Sequence, residues 1–149
     1  MPNQSYDLVV VGAGIVGLGH ALAGLDRGLR VAVVERGTAL TGSTIRNFGQ
    51  IGTSAHAGEA AEYARVTRDR WLDLGRRAGI WVAETGTLMV ARHEDELAIL
   101  DEAGGGEVLS AERVSELAPV VGAVGGMVRA GDLQVDPRTA GPAIAEWLA

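Results

Sequence analysis

Three glycines and one acid stand at a spacing that could hold a phosphate-containing ligand. Gly12, Gly14 and Gly17 follow the apolar run 8–11, and Glu35 stands 18 residues after the last glycine. An apolar segment with the composition of a helix lies between them, and a second β-branched run precedes the acid. The order strand, glycine turn, helix, strand, acid is typical of a dinucleotide-binding βαβ unit. The alternative is a glycine-rich turn without a ligand, which the agreement of five features disfavours.

Each residue type in this pattern has a physical reason. Gly12 permits a tight turn out of the strand, and Gly14 lets a pyrophosphate approach the backbone because it has no side chain. Gly17 allows the helix to pack closely on the sheet. The first amides of the helix and its positive end favour a phosphate. Glu35 can accept hydrogen bonds from an adenosine ribose and disfavours the 2′-phosphate of NADP, although the neighbouring Arg36 weakens that argument.

The composition excludes several kinds of chemistry. The chain has 149 residues, 47% of them hydrophobic, which suits one folded domain. All 13 basic residues are Arg and there is no Cys, which excludes a lysine Schiff base, a P-loop lysine, a disulfide and thiol catalysis within this chain. The net charge of −6, without a basic cluster, argues against a nucleic-acid partner. We expect no metal site, because His20, His56 and His93 lack metal-ligand spacing.

Residues 8–25 contain no charged side chain, which makes them a formal candidate for a membrane span. They contain five glycines and His20, however, and the glycines fall in the register of the dinucleotide-binding pattern. No basic residue precedes the run, whereas Asp7 does, so the segment is not typical of a signal peptide. We therefore expect a soluble, cytoplasmic protein.

Periodicity and turn residues predict alternating strands and helices, with the first strand buried on both faces as in a parallel sheet. Gly79 and the run 104–106 predict helix ends, whereas Ser110 and Asp136 predict helix N-caps, the second followed by a proline. A Gly, Ser and Thr-rich loop is expected over 37–52. The expected elements are strands 6–11, 30–35, 81–83 and 87–91, helices 15–27, 59–77, 94–103 and 110 to Pro119, an irregular segment 122–135 that could form a hairpin, and a last helix from 136.

Four blocks of sequence carry a family resemblance across essentially the whole chain. They are 12–36 with its glycines and its Glu35-Arg36 pair, Gly42-Ser43-Thr44-Ile45-Arg46-Asn47-Phe48-Gly49, Leu109-Ser110-Ala111-Glu112, and Gln134-Val135-Asp136-Pro137-Arg138. Together they resemble FAD-dependent oxidoreductases of the D-amino-acid oxidase superfamily, especially the glycine oxidase and amino-acid dehydrogenase branch. The second and last blocks distinguish FAD from NAD. The segment 45–49 is most similar to a subgroup linked with phosphonate catabolism, which is thought to oxidise N-substituted aminoalkylphosphonates.

The resemblance implies an α/β fold, in which an N-terminal Rossmann-like FAD-binding βαβ unit is followed by the first part of an α+β substrate domain. It implies an FAD-binding segment over 1–80, a partial substrate domain over 81–135, and over 136–149 the start of a helix that returns to the FAD domain. Members of the superfamily are more than twice as long, and this chain ends inside its last expected helix. We therefore expect the N-terminal part of a longer protein.

By resemblance, the FAD contacts fall in two segments. Those of the first lie at the pyrophosphate turn and around the adenosine, while those of the second reach the phosphates or ribityl chain through hydroxyls and then run beside the isoalloxazine ring. Hydroxyls suit phosphate oxygens, and glycine suits close approach to a flat ring. The residues expected to contact FAD are Gly12, Gly14, Ile15, Val16, Gly17, Glu35 and Arg36 in the first segment, and Ser43, Thr44, Arg46, Asn47, Phe48, Gly49 and Gln50 in the second.

Alternatives stay open at three of these positions and for the function. Ser43 and Thr44 also suit an ordinary polar turn, and Arg46 could favour the anionic reduced flavin, bind an acidic substrate or be a surface cation. The resemblance implies oxidation of a C–N bond of a small amine or amino acid, with hydride transfer to flavin N5 and hydrolysis of the imine. The alternatives are a non-catalytic fragment with weak adenine-nucleotide binding and an NAD-dependent dehydrogenase. No catalytic residue is assigned, the 149-residue chain alone is expected to be inactive, and the oligomeric state stays open.

Overall fold

The computed structural model describes residues 5–149 and has the expected mixture of helices and strands. Contacts divide the chain into two units, the first containing the chain up to Gly49 with 71–82 and 135–149, and the second containing 50–70 and 83–134. The strands are β1 (Leu8–Val11), β2 (Val31–Val34), β3 (Gln50–Ile51), β4 (Val82–Glu84), β5 (Thr87–Ala91), β6 (Glu107–Ser110), β7 (Gly125–Arg129) and β8 (Leu133–Val135). The helices are α1 (Ile15–Leu25), α2 (Glu59–Ala78), α3 (Glu94–Ala103), α4 (Ala111–Leu117) and α5 (Pro137–Leu148).

In the first unit, β1 and β2 pair in parallel and α1 connects them, as the sequence pattern predicts. Leu8 lies beside Val31 and Val10 beside Val33, and α1 contacts both strands through a face on which Leu18 and Ala21 are buried. Apolar side chains at helical spacing thus stabilise the unit by leaving water, at about 25 cal/mol per Å² of apolar surface.

The expectation that β1 is buried on both faces is wrong. Val10 is 9% exposed, whereas Val9 and Val11, which point to the opposite face, are 56% and 86% exposed. Val34, beside Val11 in the parallel register, is also exposed at 54%. Successive strand residues point to opposite faces, and the single crossover helix covers only one of them.

The second unit contains an antiparallel sheet in the order β5-β7-β6, with β7 at its centre. Met127 of β7 faces Met89 of β5 and Val108 of β6, and it is fully buried. Helix α4 begins after Ser110, whose hydroxyl accepts a hydrogen bond from the Arg113 amide and confirms the predicted N-cap. A further sheet has the order β3-β8-β4, and in it β3 and β8 pair antiparallel.

The predicted hairpin over 122–135 is wrong. Strands β7 and β8 form in this segment, but they belong to different sheets. Strand β3 lies within the segment 37–52 that was expected to be loop, and no strand was predicted at β6, because two and four residues without clear alternation carry little local signal. The expected strands 6–11, 30–35 and 81–83 are observed as β1, β2 and β4, and helix 15–27 ends at Leu25. Among residues 5–149 no helix has the length and apolar character needed to cross a lipid bilayer.

One carboxylate is buried in the second unit, that of Asp132, which is 1% exposed. Its Oδ1 accepts hydrogen bonds from the amide of Thr53 at 2.6 Å, the hydroxyl of Thr53 at 2.8 Å and the amide of Ser54 at 3.1 Å. Its Oδ2 accepts from the hydroxyls of Ser54 and Thr87, the latter at 2.6 Å. Burial by itself raises the pKa of this carboxyl, but the hydrogen bonds from Ser54, Thr87 and Thr53 outweigh burial and hold the pKa well below its usual range.

Gly49 lies at a crowded place in the backbone of the first unit. It is buried at φ +68°, its carbonyl accepts from the amide of Val135 at 2.9 Å, and its amide donates to Oδ1 of Asn47 at 2.7 Å. A Cβ at this position would lie 1.9 Å from the Val135 carbonyl oxygen. The resemblance explained this glycine by close approach to a flavin ring, whereas contacts within the chain already require it.

We predict that Asp132→Asn lowers the free energy of unfolding by about 3 kcal/mol near pH 7, because a charged acceptor of several buried hydrogen bonds is lost. Since the folded-state pKa is lowered, the wild type keeps this stabilisation above about pH 4 and loses it as the pH falls further. Urea unfolding from pH 3 to 7 measures both effects. The control Asp69→Asn changes an exposed carboxylate 3.6 Å from Arg68 and should cost less than about 0.5 kcal/mol. Equal losses in the two variants would contradict the prediction.

We also predict that Gly49→Ala lowers the free energy of unfolding by more than about 2 kcal/mol, since its Cβ collides with backbone and its φ is positive. Gly52→Ala is the matched control, because a Cβ there meets no atom within 4 Å. Urea midpoints of both variants provide the measurement. A Gly49→Ala protein as stable as Gly52→Ala would show that the backbone at Val135 can move aside.

Candidate functional site

The predicted glycine turn connects β1 to α1 in the way the sequence indicates. Gly12 has φ +99°, which L side chains rarely adopt, and its amide donates to the Val34 carbonyl at 2.8 Å. A Cβ on Gly17 would lie 1.9 Å from the Gly12 carbonyl oxygen and 3.3 Å from the side chain of Val10. The first glycine therefore permits the turn, and the third lets the helix approach the strand and the turn closely.

The N-terminus of α1 is bound by a side chain from the second predicted segment. The amide of Ile15, the first helical residue, donates to Oγ1 of Thr44 at 3.0 Å. The same oxygen would lie 3.3 Å from a Cβ on Gly14. The structure thus brings Thr44 to the positive end of the helix, where its hydroxyl proton can be donated to an anion. Val16, in the first turn, is 72% exposed.

Glu35 follows β2 directly, and its carboxylate connects the ends of the two parallel strands. Oε2 accepts from the amide of Ala13 at 2.9 Å, and Oε1 accepts from the amide of Gly37 at 2.9 Å. These two amides, in that order, with a smaller contribution from Arg36, lower the pKa of this carboxyl, so it is ionised at neutral pH. Each carboxylate oxygen retains a lone pair that can accept a further hydrogen bond.

Sequence reasoning missed Ala13. Its contribution is a backbone amide, which leaves no trace in the side-chain pattern, and the position lies between two of the glycines that define the motif. The available signal was indirect, because the turn and the acid each follow one of two paired parallel strands and therefore lie close together.

The loop 43–50 is shaped by the side chain of Asn47. Its Nδ2 donates to the carbonyls of Ser43 and Thr44, both at 2.9 Å, and its Oδ1 accepts from Gly49. Residues Ser43–Ile45 form a single 3₁₀ turn. Asn47 therefore uses both ends of its amide to hold the loop that carries Thr44. The other expected side chains of this stretch are exposed, namely Ser43, Arg46, Phe48 and Gln50.

A cavity of about 340 Å³ lies within the first unit. Glu35 and Ala13 line it together with apolar residues of α1, β2 and the end of α5, among them Val33 and Leu148. Its size lies within the usual range of ligand pockets, and its lining combines one ionised carboxylate with apolar walls. Among residues 5–149 no group of three or more His, Asp or Glu side chains is placed to hold a metal ion.

The donors and acceptors of the first unit fit the ADP part of FAD. A helix N-terminus and a hydroxyl beside it suit a pyrophosphate, while an ionised acid at a strand end suits a ribose. The structure brings together six of the sequence-predicted residues: Gly12, Gly14, Ile15, Gly17, Glu35 and Thr44.

Comparison with known proteins agrees with this geometry. The family model described as FAD dependent oxidoreductase (DAO) matches residues 7–149. The chain is 34% identical over 145 residues to one of the subunits of the anaerobic glycerol-3-phosphate dehydrogenase of Escherichia coli K12, and the match covers 91% of this chain and 27% of that protein. The chain thus spans about a quarter of the length of this curated relative.

Two solved structures share the fold. Glycine oxidase from Geobacillus kaustophilus matches with a TM-score of 0.80 and 25% identity, over 96% of this chain and 44% of the oxidase. L-α-glycerophosphate oxidase from Mycoplasma pneumoniae, solved with FAD bound, matches with a TM-score of 0.80 and 26% identity, over 96% of this chain and 42% of that enzyme. FAD is the cofactor of this family, which removes the alternative of an NAD-dependent dehydrogenase. The chain belongs to the DAO family of FAD dependent oxidoreductases.

Proposed function

We propose that this chain holds FAD in a protein that oxidises a C–N bond of a small amine or amino acid. The observation that carries the proposal is the joint placement of the α1 N-terminus, the Thr44 hydroxyl and the ionised Glu35 carboxylate around one turn. Each of these groups matches one part of an ADP moiety. The proposal keeps the organisation expected from the sequence, with an FAD-binding segment over 1–80, part of a substrate domain over 81–135 and a returning helix over 136–149.

The pyrophosphate would be held at the turn. The amide of Val16 lies in the first turn of α1, where the helix offers partial positive charge, and Thr44 adds a hydroxyl donor. Ser43, exposed on the 3₁₀ turn, supplies a second hydroxyl. Gly14 has no side chain that would keep an anion away from the backbone.

The adenosine would be held by Glu35 and the cavity beside it. The carboxylate already accepts from Ala13 and Gly37, so its orientation is fixed before a ribose binds. Its remaining lone pairs can accept from the ribose hydroxyls. The apolar walls of the cavity suit a flat base, and the exposed Arg36 follows Glu35 in the sequence.

The flavin ring would run along Phe48, Gly49 and Gln50, with Asn47 holding the loop. FAD, when bound, accepts the two electrons released by the oxidised bond. The exposed guanidinium of Arg46 would favour negative charge, either on the reduced cofactor or on an acidic substrate. The role proposed for this chain is binding and orientation, and no residue in it is proposed to move a proton in the reaction.

The choice of an amine substrate is supported by the match to glycine oxidase and by the sequence of the loop 42–49. Glycerol 3-phosphate is the second candidate, because the curated relative with 34% identity belongs to a glycerol-3-phosphate dehydrogenase. We further propose that the substrate is a small molecule and that the protein has no nucleic-acid partner. The cytoplasmic location expected from the sequence stays a prediction, as does the inactivity of the 149-residue chain by itself.

We predict that Glu35→Ala weakens FAD binding about tenfold to hundredfold, which corresponds to lost hydrogen bonds to a charged acceptor, about 1–3 kcal/mol. The measurement is a titration of the apoprotein, expressed from its complete coding sequence, with FAD. Glu107→Ala removes an exposed acid at the start of β6 and serves as the control. Unchanged affinity in Glu35→Ala would mean that this acid only connects the strand ends.

We predict that amines reduce the bound flavin. The protein expressed from its complete coding sequence is mixed without oxygen with glycine, with other amino acids or with glycerol 3-phosphate, and the flavin absorbance and the ammonia released are measured. An amine substrate should bleach the flavin and release ammonia, because the imine hydrolyses. Bleaching by glycerol 3-phosphate alone would reject the amine and favour the second candidate. If the protein binds no FAD, the alternative of a non-catalytic fragment would be favoured.

A further inference from the structure

The buried Asp132 carboxylate begins a hydrogen-bond chain that ends at an exposed side chain. Its Oδ2 accepts from the Thr87 hydroxyl at 2.6 Å, and the same hydroxyl oxygen lies 3.3 Å from Nε2 of Gln50. Thr87 is half-buried and Gln50 is exposed, and all three residues belong to the second unit. The chain therefore connects a fixed internal charge to an amide at the surface.

The direction of each bond in this chain follows from the number of protons available. An ionised carboxylate has none, so the single hydroxyl proton of Thr87 is donated to Asp132. The Thr87 oxygen can then only accept, and it must accept from the amino end of the Gln50 amide. The carbonyl end, Oε1, is thereby turned away from Thr87. The network decides the amide orientation, which the positions of the heavy atoms alone would leave open.

The anchor of the chain is firmly held. Besides Thr87, the carboxylate accepts hydrogen bonds from Thr53 and Ser54, so its rotation would leave buried donors without a partner. The carbonyl of Ser54 also accepts a hydrogen bond from the guanidinium of Arg129. At the other end, the Gln50 backbone is fixed in β3 by its pairing with β8.

We propose that Asp132 and Thr87 are positioning residues that hold the Gln50 amide in one orientation, with its carbonyl oxygen as an acceptor for an N–H group of the flavin ring. The inference rests on the proposed function, in which Gln50 lies beside that ring. An unanchored glutamine can turn either end of its amide toward a ligand, whereas this amide keeps one of its two N–H groups on Thr87 and so holds its carbonyl end away from Thr87 and available to accept. Fixing the amide before binding removes the cost of ordering it when the ligand arrives.

The test is a double-mutant cycle of Thr87→Val and Gln50→Met in the protein expressed from its complete coding sequence. FAD is titrated into each apoprotein, and the visible spectrum of the substrate-free holoprotein is recorded. Each single variant should weaken FAD binding about fivefold, the equivalent of about one hydrogen bond, and shift the flavin absorption band. Thr87→Ser should restore both. In the Gln50→Met background, Thr87→Val should have no further effect.

Thr85→Val is the matched control, because Thr85 is an exposed threonine on the same turn. Its hydroxyl donates to the Gly86 carbonyl and not to Asp132. Additive losses in the cycle would show that Thr87 does not act through Gln50. They would overturn this inference and leave the proposed function standing. Normal affinity and an unchanged spectrum in Gln50→Met, which alters only an exposed side chain, would also overturn it. A parent protein that binds no FAD would overturn the proposed function together with the inference.

Discussion

The first unit depends on the close approach of helix α1 to the strand and turn that precede it. The Gly12 carbonyl occupies the space that a Cβ of Gly17 would need, so the helix can start only where a glycine faces the turn. From that position the helix directs the amide of Ile15 at Thr44, and the turn directs the amide of Ala13 at Glu35. The same steric constraint thus sets the packing of the βαβ unit and the direction of the two amides that donate to Thr44 and Glu35.

Buried polar groups must be satisfied, and this requirement organises the second unit around Asp132. Its carboxylate accepts hydrogen bonds from the segment 53–54 and from Thr87. These bonds connect the loop after β3 to the start of β5. A charge placed this deeply is costly unless its oxygens accept several hydrogen bonds. The same satisfied network fixes the Gln50 amide, which connects a requirement of folding to a group proposed to meet the cofactor.

The side chains of the loop 43–50 divide into those that hold the loop and those exposed on it. Asn47 and Gly49 are committed to the chain itself, the first through its amide and the second through its contact with Val135. Arg46, Phe48 and Gln50 are exposed. A family motif therefore mixes residues that shape a site with residues that face a ligand, and geometry is needed to tell them apart.

The sequence by itself determined the features that depend on neighbouring residues. The glycine turn with its strand-end acid, the cap at Ser110 and the cap at Asp136 with its proline were readable, because each rests on a local steric or hydrogen-bonding rule. The family was readable from four short blocks of sequence. The tertiary structure alone decided which strands pair, so the expected hairpin over 122–135 became two strands in different sheets. It also decided that Ala13 serves Glu35, that Val135 requires glycine at position 49 and that Asp132 is buried. Each of these depends on residues tens of positions apart along the chain, and side-chain periodicity carries no record of such contacts.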